Sequence, residues 1–330
     1  MNARTLRRPL LRLSIPAAAL LAVWAPPAAQ ASCGAASCNL LNDRFALGTW
    51  DRLGWSVDLR YESLTQDRLR EGTHAISADD LPEDEEAVER HTRNQTLVTT
   101  LDYAVSPQWS FALRVPTLHR DHAHDLIDED TGALGAHEQW RFSRVGDVQA
   151  LVRWQAPAAP QSDVGWALAG GLKLATGSHS VANGDGSVAE RALQPGTGTT
   201  DLIVGASARW VLGLADALTL QATATHALAE RAGYRPGNRV DLSAGWSHAM
   251  SPVWSLMLQA NYSQRARDSG EEAEPELSGS RTLNLSPGVS VAAGHDDLVY
   301  AVVQAPVYQQ VNGIQLVPRY SLAFGWTHSF

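Results

Sequence analysis

The sequence predicts an all-β protein, an antiparallel transmembrane β-barrel of about twelve strands and of the bacterial outer-membrane type. Three observations carry that expectation. Period-two alternation recurs along the chain, the links between alternating segments are long and short in turn, and the chain stops inside one such segment. In this last stretch, "YSLAFGWTHSF", Tyr320, Leu322, Phe324, Trp326 and Phe330 share one parity, and Ser321, Ala323, Gly325, Thr327 and Ser329 share the other. A bulky face running to the last residue suits lipid around a barrel whose final strand pairs with its first.

Composition narrows the class further. The net charge is -9, and no segment beyond the leader approaches the roughly 20 apolar residues that a spanning helix needs. An acidic chain does not suit nucleic acid. At the N-terminus Arg4, Arg7, Arg8 and Arg12 precede the apolar run "IPAAALLAVWA" and the small-residue site Ala29-Gln30-Ala31. This is the layout of a secretory signal over residues 1–31, cleaved before Ser32. Pro16, Pro26 and Pro27 interrupt the run and argue against a permanently inserted helix. Export to the outer membrane follows as the expected localisation, with its lipid bilayer as the first partner.

Residues 32–54 are expected to form a periplasmic segment, followed by the barrel over 55–330. The segment holds both cysteines of the chain, Cys33 and Cys38, in "SCGAASCN". A small disulfide loop fits an oxidising periplasm. A thiolate metal or redox site is a second reading. A lipid-anchored Cys33 is a third, against which Gln30 stands where an apolar residue is wanted.

The strands follow in order: Trp55–Leu64, Thr92–Val105, Gln108–Thr117, Gln139–Gln155, Asp163–Leu174, Asp201–Leu212, Ala217–Leu228, Arg239–His248, Val253–Gln264, Arg281–Ala293, Leu298–Tyr308 and Gln315–Phe330. Three of them show the pattern plainly. Val164, Trp166, Leu168, Leu172 and Leu174 oppose Gly165, Ala167, Ala169, Gly171 and Lys173. Leu202, Val204, Ala206, Ala208 and Trp210 oppose Asp201, Gly205, Ser207 and Arg209, and Val240, Leu242, Ala244 and Trp246 oppose Arg239, Asp241, Ser243 and Gly245. Alternation alone also suits a soluble sandwich. The rhythm of the links separates the two, because outer-membrane barrels have short periplasmic turns, such as "SPQ", "GLAD" and "MSP", and longer outer loops. Trp109, Trp154, Trp210, Trp246, Trp254 and Trp326 fall near the short-turn ends, where an interfacial girdle belongs.

If the large apolar residues face lipid, the opposite parity lines the lumen. The expected lumenal and selectivity residues are Arg114, Asp147, Arg153, Lys173, Asp201, Arg209, Asp241 and Arg319. Such balanced charges either form salt bridges that prop and block the barrel or line a hydrated path that selects solutes. Residues 176–198 and 118–138 read as the loops that would filter it. Gly146, Gly170, Gly171, Gly196, Gly198, Gly205 and Gly288 read as architecture, permitting bulges and close backbone approach.

The stretch "LHRDHAHDLIDED" places His119, His122 and His124 beside Asp121, Asp125 and Asp128, with His137 at the far end of the same loop. Imidazole and carboxylate suit zinc, copper or nickel, although the spacing matches no established zinc motif. A solvated outer loop is the plain alternative. A hydrolytic barrel would need serine with histidine, or aspartate with histidine, at its outer rim. His226 and His248 lie at opposite ends of their strands with no serine motif, so no enzyme, no catalytic residue and no cofactor is expected.

Four stretches, "RVGDVQALVRW", "GLKLATGSHS", "LQPGTGTTDLIVGAS" and "VYQQVNGIQLVPRYSLAFGW", occur in an order that resembles the outer-membrane transporters related to the meta-pathway of phenol degradation, the MetA-like family. The early "SCGAASCN" is similar as well. The resemblance implies a barrel that passes small, aromatic or otherwise hydrophobic compounds, and no catalytic residue carries over. Ala175 departs from it, since "KLPTG" is the family form and this chain has "KLATG". The terminal Phe330 strand resembles the end signal read by the barrel-insertion machinery. Besides the channel, two other functions stay open: a closed structural or metal-binding barrel with functional loops, and a rim-site hydrolase.

Overall fold

A computed structural model describes residues 53–78, 81, 87–128, 131, 133–157 and 162–330. The expected signal peptide, Cys33 and Cys38, and most of the acidic run "DDLPEDEEAVE" lie outside the described residues.

The described chain is almost wholly strand: β1 (Gly54–Glu71), β2 (His74–Ala75), β3 (Ala87–Ala104), β4 (Trp109–Ile127), β5 (Leu134–Val145), β6 (Val148–Gln155), β7 (Val164–Leu174), β8 (Asp201–Leu212), β9 (Asp216–Ala227), β10 (Arg239–Ala249), β11 (Trp254–Arg265), β12 (Ser280–Ala292), β13 (Asp297–Val311) and β14 (Ile314–Ser329). β2 is a stub on the end of β1. β5 and β6 occupy one wall position, both pairing with β4. The wall therefore has twelve antiparallel strands, and β14 closes on β1 from Ser56↔Ser329 to Glu71↔Ile314. Closure gives each of the twelve wall strands a neighbour on both sides, as a bilayer demands because it offers no partner for backbone polar groups.

The two faces of this wall are inverted relative to a soluble protein. Leu97, Leu101, Phe111, Leu113, Trp166, Leu168, Leu218, Leu220, Leu256, Leu258, Leu322 and Phe324 are exposed on the outside. Ser56, Thr100, Asp102, Gln259, Asn261, Ser286, Ser321 and Thr327 are buried on the inside. Each large apolar side chain withheld from water is stabilised by about 1.5–3 kcal/mol, so an outer face of this kind is stable in lipid. Aromatic pairs mark the short-turn rim: Trp55 with Tyr103 at 4.6 Å and Trp154 with Trp166 at 5.2 Å between ring centroids. Two further clasps have the same build. Trp246 and His248 both bond Asp216 Oδ1 at 2.9 Å, while Trp326 and His328 bond Asp297 Oδ1 at 2.8 and 2.9 Å.

Three strands run further than their apolar pattern predicts. β1 continues to Glu71, β3 begins at Ala87 and β4 reaches Ile127. The ladder persists, with Glu89 opposite His124 and Thr92 opposite His122. Hydropathic alternation stops there because the outward positions, Arg93, Gln95, His119 and Asp121, lie beyond the apolar band. The histidine-rich stretch expected as a loop is thus mainly strand. The predicted strand Gln139–Gln155 is in turn broken at Gly146 and Asp147.

Candidate functional site

The lumen holds a cavity of 330 Å³ lined by Arg60, Glu62, Arg114, Gln149, Arg153, Arg239 and Asp241 among others. Its charges are tied down. Arg60 Nε donates to Glu62 Oε1 at 2.7 Å, Arg114 Nη1 to Gln149 Oε1 at 3.2 Å and Arg239 Nε to Asp241 Oδ1 at 3.0 Å. Of the residues expected to line a path, Arg114, Arg153 and Asp241 meet in this space. Arg209 lies apart, lining a second cavity with Asp216 and Ser255 towards the short-turn rim.

Asp147, Lys173 and Asp201 come together in a different structure. Lys173 Nζ lies 2.9 Å from Asp147 Oδ2 and 3.0 Å from Asp201 Oδ2, and it also bonds Thr197 Oγ1. Asp147 accepts from the backbone amides of Gly177 at 3.0 Å and Thr197 at 2.9 Å. Asp201 accepts from Thr199 Oγ1 at 2.6 Å. The buried ions fasten both ends of the segment 175–200 to the wall. Between those ends Gly177 and Gly196 touch backbone to backbone: a Cβ built on Gly177 would sit 2.7 Å from Gly196 Cα.

From this knot the segment folds across the mouth. Leu193, 1% exposed, packs in one cluster with Leu69 of β1, Trp140 and Phe142 of β5, and Ile314 and Leu316 of β14. Arg120 donates to the carbonyl oxygens of Leu193 and Ala192. Arg191 lies over the Tyr234 ring at 4.9 Å from its centroid. Contacts to β1, β5, β14 and the 228–238 loop put this segment inside the outer opening, where burial of apolar surface holds it.

Arg319 is a correction to the expected lumenal set. Its side chain is 62% exposed on the outer face and sits 3.5 Å from Asp67. The cause is an irregularity of the ladder beside Pro318, which brings both Arg319 and Tyr320 to the outside. β13 has a counterpart, a register shift between Leu283 and Asn284 of its partner β12 that leaves Val307 and Tyr308 both exposed next to Pro306. β13 and β14 pair only from Asp297↔His328 to Gln304↔Ser321. Beyond that point the two strands of the last hairpin part. Gln309 Nε2 reaches the Pro318 carbonyl at 3.1 Å, and Gln66 Nε2 reaches the Leu316 carbonyl at 2.8 Å. A 100 Å³ cavity opens at the split, lined by Pro306, Val311, Leu316, Val317, Pro318 and Tyr320 together with lumenal Arg239, Ser263 and Asn284. Proline has no amide hydrogen and cannot join the ladder. The prolines of "QAPVYQQ" and "VPRY" are the sequence signal that could have located this seam.

The three expected metal-ligating histidines do not converge. His122 and His124 are buried on the inner face, whereas His119 points the other way and bonds Ser143 Oγ at 2.8 Å. Glu89 stands in its place, with an oxygen 3.6 Å from His122 Nδ1 and another 3.9 Å from His124 Nδ1. His226 Nδ1 pairs with Asn238 Oδ1 at 2.7 Å and His248 with Asp216, and neither has a serine as a polar partner among the described residues.

No family model matches this chain, and no curated protein matches it. Solved structures do. An outer membrane channel from Pseudomonas putida F1 superposes with a TM-score of 0.62 at 13% identity, over 86% of this chain and 98% of that one. The toluene transporter TbuX of Ralstonia pickettii gives 0.45 at 8% identity, over 84% and 90%, too distant to carry an argument. The first likeness is one of fold: this chain is a closed twelve-stranded barrel of the outer-membrane type.

Proposed function

We propose that this protein is an outer-membrane channel for small hydrophobic molecules, aromatic compounds included, which leave the lumen sideways through the split between β13 and β14. The observation that carries the reading is that split, continuous with a lumenal cavity and opening among Pro306, Leu316, Val317, Pro318 and Tyr320. A hydrophobic solute gains little from a straight path through a lumen of paired charges, and it gains the transfer free energy of its apolar surface on reaching the bilayer. The segment across the mouth further supports a route that is not an open aqueous pore. The fold shared with the Pseudomonas channel supports a channel, and the resemblance to the MetA-like transporters supports small, aromatic or otherwise hydrophobic solutes.

Restoring the missing amides tests it. In Pro306→Val/Pro318→Thr the two strands can extend their ladder and close the split. Uptake of radiolabelled toluene by cells carrying the double variant should fall towards that of cells lacking the protein, while ionic conductance in planar bilayers stays unchanged. Wild-type uptake no greater than in cells lacking the protein refutes the channel. Undiminished uptake by a correctly folded double variant refutes the lateral route.

A further inference from the structure

On the inner face of β3 and β4, beyond the apolar band, Glu89, His122 and His124 each have a side-chain exposure of 0%. One ligand atom from each lies within 4.8 Å of the other two. The backbone is shaped to bring them together. A register shift between Glu89 and His91 turns Glu89 inward, where strict alternation with Thr92 would have sent it out. A bulge re-aims a side chain in this way and recurs beside functional sites.

The histidines are oriented from behind. Thr92 Oγ1 lies 2.9 Å from His122 Nδ1. His124 Nε2 lies 3.0 Å from Glu138 Oε2, and Glu138 Oε1 accepts from Ser187 Oγ at 3.0 Å. Trp140 packs against both imidazoles, with centroids 5.7 and 5.0 Å away. Among the described residues none hydrogen-bonds His122 Nε2 or His124 Nδ1, both of them buried. Burying such atoms without a partner is unfavourable, and a ligand that accepts nitrogen lone pairs removes the cost.

We propose that Glu89, His122 and His124 bind a divalent transition metal of the zinc class. Two imidazoles and one carboxylate are an established zinc donor set. A carboxylate behind a ligating histidine, as Glu138 stands behind His124, is the usual outer partner that fixes the ring. Closure around zinc at about 2.0–2.2 Å from each ligand needs only a small inward movement. Because Glu138 and the Trp140 indole both bond Ser187, the ion would also brace the wall against the segment that covers the mouth.

The test is titration of the chelator-stripped, folded protein with ZnCl₂ against a chromophoric competitor, and with CoCl₂ followed by visible absorption. One equivalent should bind. Glu89→Gln and His124→Gln should lose binding, and Glu138→Gln should weaken it about 10–100-fold. His119→Ala and His137→Ala should leave it within about twofold of wild type. Should the ligand variants fail to fold, Glu138→Gln decides, because that side chain is 22% exposed and outside the ligand set. Absence of binding by folded wild type overturns the assignment. So does wild-type affinity in Glu138→Gln, or loss of binding in His119→Ala or His137→Ala.

Discussion

Replacing Lys173 by methionine removes the only cation within 4 Å of Asp147 and Asp201 among the described residues. Those carboxylates are 7% and 6% exposed, so each would be left charged and poorly hydrated. Removing one partner of a buried ion pair costs about 3–5 kcal/mol. The ladders of β6, β7 and β8 do not depend on Lys173 Nζ. The loss therefore falls on the docking of segment 175–200, whose equilibrium between docked and released forms should shift about 10²–10⁴-fold toward release. Two assays read this out. Single-channel conductance in a planar bilayer should rise, and protease should cut between Val181 and Leu193 in the variant while the wall stays intact. A folded Lys173→Met protein with wild-type conductance and wild-type protection would refute the assignment of this cluster as the fastening of the mouth.

Other outcomes follow from the same geometry. Gly196→Ala should loosen the same segment, since its Cβ would lie 2.5 Å from the Gly177 carbonyl carbon. Overpacking of that kind costs about 1–3 kcal/mol, whereas Gly184→Ala, with open space around it, should leave conductance unchanged. The mouth should also respond to pH. Burial and the facing Glu274 push the Glu190 carboxyl well above its usual range, and burial with Asp268 raises Glu274 to about 7. Groups that bind protons more tightly when docked stabilise docking at low pH and lose that contribution as pH rises through the folded value. The protection of residues 181–193, taken relative to the intrinsic exchange rate at each pH, should accordingly fall between about pH 5 and pH 8, and Glu190→Gln/Glu274→Gln should flatten that profile. At the short-turn rim, Asp297→Ala removes the acceptor of both Trp326 and His328. It should destabilise the closing strand, seen as a lower midpoint of heat-induced gel-shift unfolding.

The wall is legible because a lipid-facing strand has to show its periodicity in the sequence: Val164, Trp166 and Leu168 can only sit outside if Gly165 and Ala167 sit inside. Twelve alternating segments, their sorted links and the aromatic rim are all readable on that ground. Beyond the bilayer the constraint lapses. The outer halves of β3 and β4 have polar residues on both faces, so a ladder that backbone bonding sustains looks like a loop, and proximity in sequence groups His119 with His122 and His124 although alternation sends it to the opposite side. Parity also fails where strands bulge, at Arg319 in one direction and Glu89 in the other, because one inserted residue exchanges inside for outside. Composition and pattern by themselves thus determined that the chain is a barrel in lipid and which parity meets the lipid. Only the tertiary structure decided that Lys173, Asp147 and Asp201 fasten a segment across the mouth, that β13 and β14 part at their prolines, and that Glu89 joins two histidines. The physical reason is that these depend on contacts between residues far apart in the chain and on single-residue shifts of register, neither of which a local hydropathic pattern records.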